Sequence, residues 1–424
     1  MQIPRPTVPS LDRAALIAVL ATPPLLLHAH GFAEATIAIA GLCLLVRSHI
    51  AQDWAWARTP WLLIAWAWWG WLTLCSVPLP VIGLGEGGFP SFLQAVLTVR
   101  FLLLAAAMEH IVLRDPTPRR WLFGIMAAST LYIAGHSVIQ FLFGRSLYGA
   151  PLAFGDTLTG PFGKPRAGPP LARIMIPTLI PAVAALLDKS GIRPKLGAYA
   201  LLLAGLGVVI LIGQRMPLAL AAGGLVVSAL LLRKLRPLVL IAGVLSILLI
   251  AALPIVSPPT YQRLVVRTTA QLAGFPASHY GLLYTRALAI GVQNPVTGLG
   301  FDGFGTGCPN PRYFQPSLDG GQPDGGGATI CWVHPHNFYI QALADAGFAG
   351  LALFCAMVLG WLRPLARGLW RDPDPIRVGL FATMAVQMFP IQSSNAFTSL
   401  PMGGWLFMLL GWALAESRHR VPSP

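Results

Sequence analysis

The chain has 424 residues, of which 55% are hydrophobic and only 10% charged, and its 29 Lys and Arg against 15 Asp and Glu give a net charge of +14. A water-soluble surface needs roughly a quarter charged residues, so a soluble globular fold is excluded and a polytopic membrane protein is expected. The positive excess does not call for nucleic acid as a partner, because topology and anionic membrane lipids account for most of it.

Apolar runs close to the ~20 residues that cross a bilayer fall at 13–29, 31–49, 60–78, 92–113, 120–143, 171–188, 197–213, 216–232, 237–255, 337–362, 376–394 and 398–416. They predict an all-α polytopic membrane protein, a single transmembrane domain over 1–424 with about 12 transmembrane helices, the seventh and eighth joined by a tight turn. The first ten residues hold three prolines, and no small-residue cleavage site follows the run from Ala14 to Leu27. That run is therefore expected to stay as an anchor. No internal repeat is legible, which leaves the inverted symmetry of many transporters without support. Cys43, Cys75 and Cys355 lie within apolar runs, where cysteine acts as a small hydrophobe.

Cytoplasmic loops retain Lys and Arg, so their placement sets the orientation. With the N-terminus inside, 19 of the 29 cations fall on cytoplasmic segments, and both termini are expected in the cytoplasm. Nine fall outside: Arg145, Lys164, Arg166, Arg173, Arg215, Arg263, Arg267, Arg286 and Arg312. The outer acids are only Glu34, Glu86, Asp156, Asp302, Asp319 and Asp324. The outer face is thus expected to form a basic cavity whose natural ligand is an anion, above all a phosphate. Snorkelling over lipid headgroups accounts for some of these cations as well.

Two outer segments are long. Residues 144–170 contain the Gly/Pro-rich stretch Gly160 to Pro170 with Lys164 and Arg166, able to bring backbone amides and two cations to a ligand. Residues 256–336 form the larger loop, with an amphipathic helix expected from His279 to Val292 and irregular Gly-, Pro- and Asp-rich chain from Asn294 to Gly327. Loops of this length in a compact protein are usually functional. Cys308 and Cys331 share this loop; they are expected to pair if it faces an oxidising compartment and to be two free thiols otherwise.

Chemistry concentrates at the ends of these segments. Arg215, in the turn Gly213-Gln214-Arg215-Met216-Pro217, is held near the membrane surface, at the depth of a lipid-linked phosphate. Asn337 suits the N-cap of the helix that follows, and Pro335 restricts His334 to an extended backbone. His336 then stands at a helix N-terminus, where the dipole and nearby guanidinium groups disfavour the imidazolium, so a neutral ring able to act as general base is expected. Gly347 and Gly350 are placed to admit a neighbouring helix closely. A metal site is disfavoured: His334 and His336, two apart, project to opposite sides of an extended segment, and Asp319 and Asp324 lack ligand spacing. No Walker loop, dinucleotide fingerprint or nucleophile elbow is present.

His336-Asn337-x9-Gly347-x-x-Gly350 resembles the H-[NSQ]-x9-G-x-x-G signature of the O-antigen ligase and polymerase superfamily at every constrained position. Arg286 with Asn294-Pro295-x-x-Gly298-Leu299-Gly300-Phe301-x-x-Phe304 is similar to the stretch that precedes this motif in the same family. The resemblance implies a membrane-embedded, inverting glycosyltransferase of the bacterial inner membrane that needs neither metal, cofactor nor ATP. Its active site would be periplasmic, its donor a glycan on undecaprenyl pyrophosphate, and its acceptor a sugar hydroxyl of the lipid A core. Carried onto this chain, it makes His336 the base, gives Arg215 and Arg286 the pyrophosphate and its developing charge, and leaves Arg145, Lys164, Arg166, His334 and Asn337 as substrate-binding candidates. The departures are Pro335 and His334, which crowd the motif histidine, so that His334 could share or replace its role. Within the superfamily an O-antigen polymerase or a protein O-oligosaccharyltransferase is the alternative to a ligase. Outside it stands an anion or lipid transporter, with the arginines on the cargo and His336 relaying protons.

Overall fold

The computed structural model describes residues 8–79, 84–153, 157–332, 334–391 and 395–418, and within them the chain forms helices and isolated β-bridges only. The first membrane layer is α1 (Pro9–His28), α2 (His30–Ala51), α3 (Pro60–Cys75), the bent pair α4 (Gly88–Leu97) and α5 (Val99–Ala107), and α6 (Pro116–Phe143). Next come α7 (Gly168–Leu187), α8 (Ile192–Ile212), α9 (Arg215–Leu231) and α10 (Arg236–Val256). Short helices α11 (Pro258–Tyr261), α12 (Arg267–Ala273), α13 (His279–Gln293) and α14 (Gly303–Gly307) occupy the large loop. The chain closes with α15 (Phe338–Ala366), α16 (Pro375–Gln387) and α17 (Leu400–Arg418). Helix starts are marked by proline in the first turn, as in α3, α6 and α16, where its missing N–H costs nothing. Gly144 and Gly213, with φ of 71° and 72°, stop α6 and α8 in the left-handed conformation.

Eight helical stretches among the described residues are long and apolar enough to cross a membrane. Each of the twelve predicted runs holds a helix, but α3, α9 and α16 have only 16, 17 and 13 residues, and the 19-residue α17 is less apolar. The fold is therefore that of an all-helical multi-pass membrane protein, while the expected count of twelve crossings is not reached by helix length alone.

In lipid, helices associate by packing rather than by expelling water. At the centre, Phe397 is ringed by Trp68, Phe338, Phe354, Trp361 and Phe407 at centroid distances of 5.5, 5.4, 5.1, 6.2 and 5.7 Å, which ties α3, α15 and α17 to the segment before α17. Such aromatic pairs contribute roughly 0.5–1.5 kcal/mol each beyond the area they bury. A second, smaller core belongs to the large loop: Leu282, Leu283, Ile290, Leu299, Phe304, Tyr313 and Ile330 pack together around α13. The disulfide Cys308–Cys331, with Cα atoms 5.7 Å apart, closes this loop core. The stretch from Asn294 to Gly327 is largely irregular as expected, yet Leu299, Phe304, Cys308 and Tyr313 anchor it in the loop core.

The loops gather on one face. Gln140, fully buried at the end of α6, organises residues 144–167: its Nε2 donates to the Ala150 and Pro151 carbonyls and to Thr159 Oγ1, and its Oε1 accepts from the Thr159 and Gly160 amides. Gln214 Nε2 donates to the Pro165 carbonyl at 2.9 Å and Arg263 Nη1 to Thr157 Oγ1 at 2.7 Å, so this loop abuts both the start of α9 and the large loop. Ion pairs Asp12–Arg47, Asp188–Lys234 and Glu416–Arg119 lie at the other ends of the helices. On the loop face Glu34 is taken by Arg100, at 2.7 Å, which leaves still fewer acids for the cations there.

Candidate active site

His336 immediately precedes the N-cap of α15 with φ of 59°, one of three non-glycine residues in the left-handed region among the described residues. The twist folds its ring back onto His334, with ring centroids 4.5 Å apart and planes at 68°. This corrects the expectation that the two side chains project to opposite sides: alternation holds only for extended backbone, and His336 is not extended. Across from His334 the His336 ring meets Tyr280 of α13 edge-on at 5.3 Å. Neither ring nitrogen of His334 has a hydrogen-bond partner although both are buried. Burial first, and the neighbouring His336 second, push its pKa down to about 4, so His334 is a neutral ring with one donor and one acceptor to offer beside His336.

Asn337 is the N-cap that the sequence suggests. Its Oδ1 accepts from the Tyr339 and Ile340 amides at 2.9 and 3.1 Å, and its Nδ2 donates to the Pro390 carbonyl at 2.7 Å. Tyr339 Oη donates to the Met388 carbonyl at 2.6 Å, so the start of α15 is bolted to the chain leaving α16. Both arms of the Asn337 amide are engaged in holding the backbone under His336, and the residue is buried. These contacts fix the backbone from which His336 projects.

The signature glycines explain the angle of this helix. Gly347 breaks α15 with φ 66° and ψ −167°, a combination essentially restricted to glycine. The break releases carbonyls that the preceding loop uses: Leu299 and Gly300 amides donate to Ala344 and Asp345 at 3.0 and 2.9 Å, and Trp71 Nε1 donates to Ala346 at 2.9 Å. Phe348 N returns a bond to the Pro295 carbonyl at 2.8 Å. A Cβ on Gly347 would lie 2.4 Å from the Val296 carbonyl oxygen, and one on Gly298 would lie 2.4 Å from that of Ala344. Gly347 therefore receives a loop, not the neighbouring helix expected; only Gly350 faces a helix, with Trp71 of α3 at 3.5 Å from its Cβ position.

Arg286 is the most buried of the loop-face cations, 2% exposed. Its Nη1 donates to the Cys308 carbonyl, and its Nη2 to those of Asp324 and Gly327 at 3.1 and 3.2 Å, with Gly325 at 3.5 Å. The guanidinium lies over the Phe314 ring, 4.1 Å from its centroid. These contacts stitch α13 to both sides of the disulfide. These contacts hold the loop together, and the phosphate grip expected of Arg286 is a separate matter of function.

Arg215 begins α9, half-buried, with Nε donating to the Arg263 carbonyl at 3.2 Å and Nη1 to Gln271 Oε1. The Arg263 guanidinium lies against the same turn, 3.0 Å from where a Gly213 Cβ would stand. Two guanidinium groups thus flank one tight turn, and Arg263, which the sequence placed only within the outer count, joins Arg215. Lys164 and Arg166 lie elsewhere, on a cleft with His28, His30 and Arg173. Arg145 is exposed at the end of α6. The named residues hence fall into separate groups: His334, His336 and Asn337 together; Arg286 in the loop core; Arg215 with Arg263; Lys164 and Arg166 on the cleft.

Fold and site together define a multi-pass helical membrane protein whose loop face is rich in cations. Residues 200–355 match the family model described as O-antigen ligase, which supports the O-antigen ligase superfamily for this chain. The match takes in Arg215, Arg263, Arg286, Cys308, Cys331, His334, His336, Asn337, Gly347 and Gly350, and excludes Arg145, Lys164 and Arg166. That match supports, in general terms, a glycosyltransferase-like membrane enzyme. No curated protein matches the chain.

Proposed function

We propose that the protein is an O-antigen ligase of the bacterial inner membrane, acting on its periplasmic side with both termini in the cytoplasm. It transfers a glycan from undecaprenyl pyrophosphate to a sugar hydroxyl of the lipid A core. The observation that carries this reading is the signature at the start of α15: His336, turned by its left-handed backbone toward His334 and Tyr280, within the segment that matches the ligase family.

In this reading His336 removes the acceptor hydroxyl proton as the oxygen attacks the anomeric carbon, and the bond from that carbon to the pyrophosphate oxygen breaks on the opposite face. The anomeric configuration inverts. Arg215 and Arg263 receive the pyrophosphate and spread its charge as it leaves, which requires neither metal nor ATP because the linkage is already activated. Arg286 supports the site by fixing the loop core. His334 supplies a hydrogen bond to His336 or to the acceptor, and Arg145, Lys164 and Arg166 attract substrate phosphates.

The test uses purified protein with a lipid-pyrophosphate glycan and rough lipopolysaccharide, without ATP or added metal. Glycan appearing on the lipopolysaccharide supports a ligase; lengthening of the lipid-linked glycan alone identifies a polymerase instead. His336→Ala is expected to lower transfer by at least about a hundredfold, the lower range for loss of a general base, with donor binding retained. Full activity of that variant sinks the assignment.

A further inference from the structure

A second site lies outside the family-matched segment. The corner between α1 and α2, the chain from Pro161 to Pro170, the first turns of α7 and the start of α17 enclose a cleft of about 410 Å³. Its cationic and titratable lining is His28, His30, Lys164, Arg166 and Arg173, and no Asp or Glu lines it among the described residues. Its remaining walls are apolar or aromatic, with Phe162 packed on His28 at 5.4 Å and Trp405 opposite. None of these residues is among those that surround His336.

Arg173 is the decisive member. It is only 6% exposed and sits five residues into the apolar helix α7, about 8 Å from the helix start at 1.5 Å per residue. Its Nη1 reaches the Pro401 carbonyl at 3.4 Å and its Nη2 the Met402 sulfur at 2.8 Å, a weak acceptor, while its buried Nε has no partner. It takes part in no ion pair among the described residues. A buried guanidinium with such poor compensation is costly, and an intramembrane arginine marks a functional site. Lys164 and Arg166, both exposed at the rim, supply two more cations without acids to neutralise them. An arginine buried near the start of an apolar helix, flexible cations at the rim, and apolar walls fit a phosphoryl group on an amphiphile better than a free ion.

We propose that this cleft binds the phosphate of a membrane-anchored lipid, as a subsite separate from the histidine at α15. The occupant is either the phosphorylated glycolipid acceptor or the polyprenyl pyrophosphate donor, and that choice alone rests on the transferase reading.

The experiment is direct binding by the full-length protein in neutral detergent to four probes: lipid A, lipid A stripped of its phosphates, undecaprenyl pyrophosphate and sodium phosphate. A phosphorylated lipid is expected to bind at least about tenfold tighter than the stripped one, and Arg173→Gln to remove most of that gain, as loss of a charge-assisted contact does. If Arg173→Gln does not fold, the exposed double variant Lys164→Ala/Arg166→Ala carries the test, with a loss of several-fold. Arg173-dependent binding of lipid A names the acceptor as occupant, and Arg173-dependent binding of undecaprenyl pyrophosphate names the donor. The proposal is overturned if stripped and phosphorylated lipid A bind alike and undecaprenyl pyrophosphate binds both variants as it binds wild type, or if sodium phosphate alone shows the whole effect. Arg173-dependent binding in a protein that transfers no glycan would end the transferase reading and leave the cleft standing; transfer with Arg173-independent binding would do the reverse.

Discussion

His334 and His336 do different work because their surroundings differ. Burial of His334 lowers its pKa from 6.5 to about 4, so the folded protein declines a proton that the unfolded chain accepts. Between about pH 6.5 and 4 the unfolded state therefore binds more protons, and stability falls as pH falls through this window. Discounted for a ring that is only partly buried, the effect is on the order of 1–2 kcal/mol. A thermal melt series from pH 7 to 4.5 should show a falling midpoint that His334→Gln flattens. Equal slopes for the two proteins would refute this.

Arg286 makes a complementary point about a single side chain. Its planar fork serves several carbonyls at once, and a lysine ammonium cannot match that spacing. Arg286→Lys should cost the loop about 1–3 kcal/mol, seen as faster hydrogen exchange in residues 308–331 with the membrane helices unchanged. Protection equal to wild type would mean that the arginine is not holding the loop, and would return it to the role of a direct phosphate ligand. The sequence singles out this residue, but a charge in a loop does not reveal whether it faces a ligand or its own backbone.

At the scale of elements, the break in α15 is the central device. An apolar run over 337–362 reads as one continuous span, because composition carries no record of a helix whose carbonyls are captured by another segment. Gly347 was legible as special, and its partner was not. Gly347→Ala would meet the Pro295 and Val296 carbonyls and sit in a region closed to alanine, at a cost of roughly 1–3 kcal/mol. It is expected to lower the melting temperature and to reduce transfer sharply by displacing the start of α15. Gly360→Ala, on the same helix beyond the break, meets the flexible end of Ile64 at 3.2 Å and the Trp61 Cα at an ordinary 3.9 Å, and should be mild. If the two variants behaved alike, the break would have no special importance.

For the whole molecule, the segregation of charge is the organising fact. The loops that the sequence places outside converge on one face, while the ion pairs of Asp12, Asp188 and Glu416 sit at the other. With single cysteines and a membrane-impermeant maleimide, Leu318→Cys should label in intact spheroplasts and Ser190→Cys only after lysis; both positions are exposed. The opposite pattern would invert the orientation and move His336 to the cytoplasmic side.

Composition by itself determined the membrane class, since apolar runs repeated at bilayer length have few other stable solutions. The spacing of His336, Asn337, Gly347 and Gly350 carried the resemblance to the family, because each is a local backbone demand written in residue type: a cap, a break, a close approach. Which groups meet was decided only by tertiary structure. The left-handed turn that brings His336 onto His334 is a backbone conformation that residue type does not announce, and the pairing of Arg263 with Arg215, the capture of Arg286 by its own loop and the burial of Arg173 in a cleft depend on contacts between segments tens to hundreds of residues apart. Nothing in a one-dimensional pattern fixes such distances, which follow from how the helices pack.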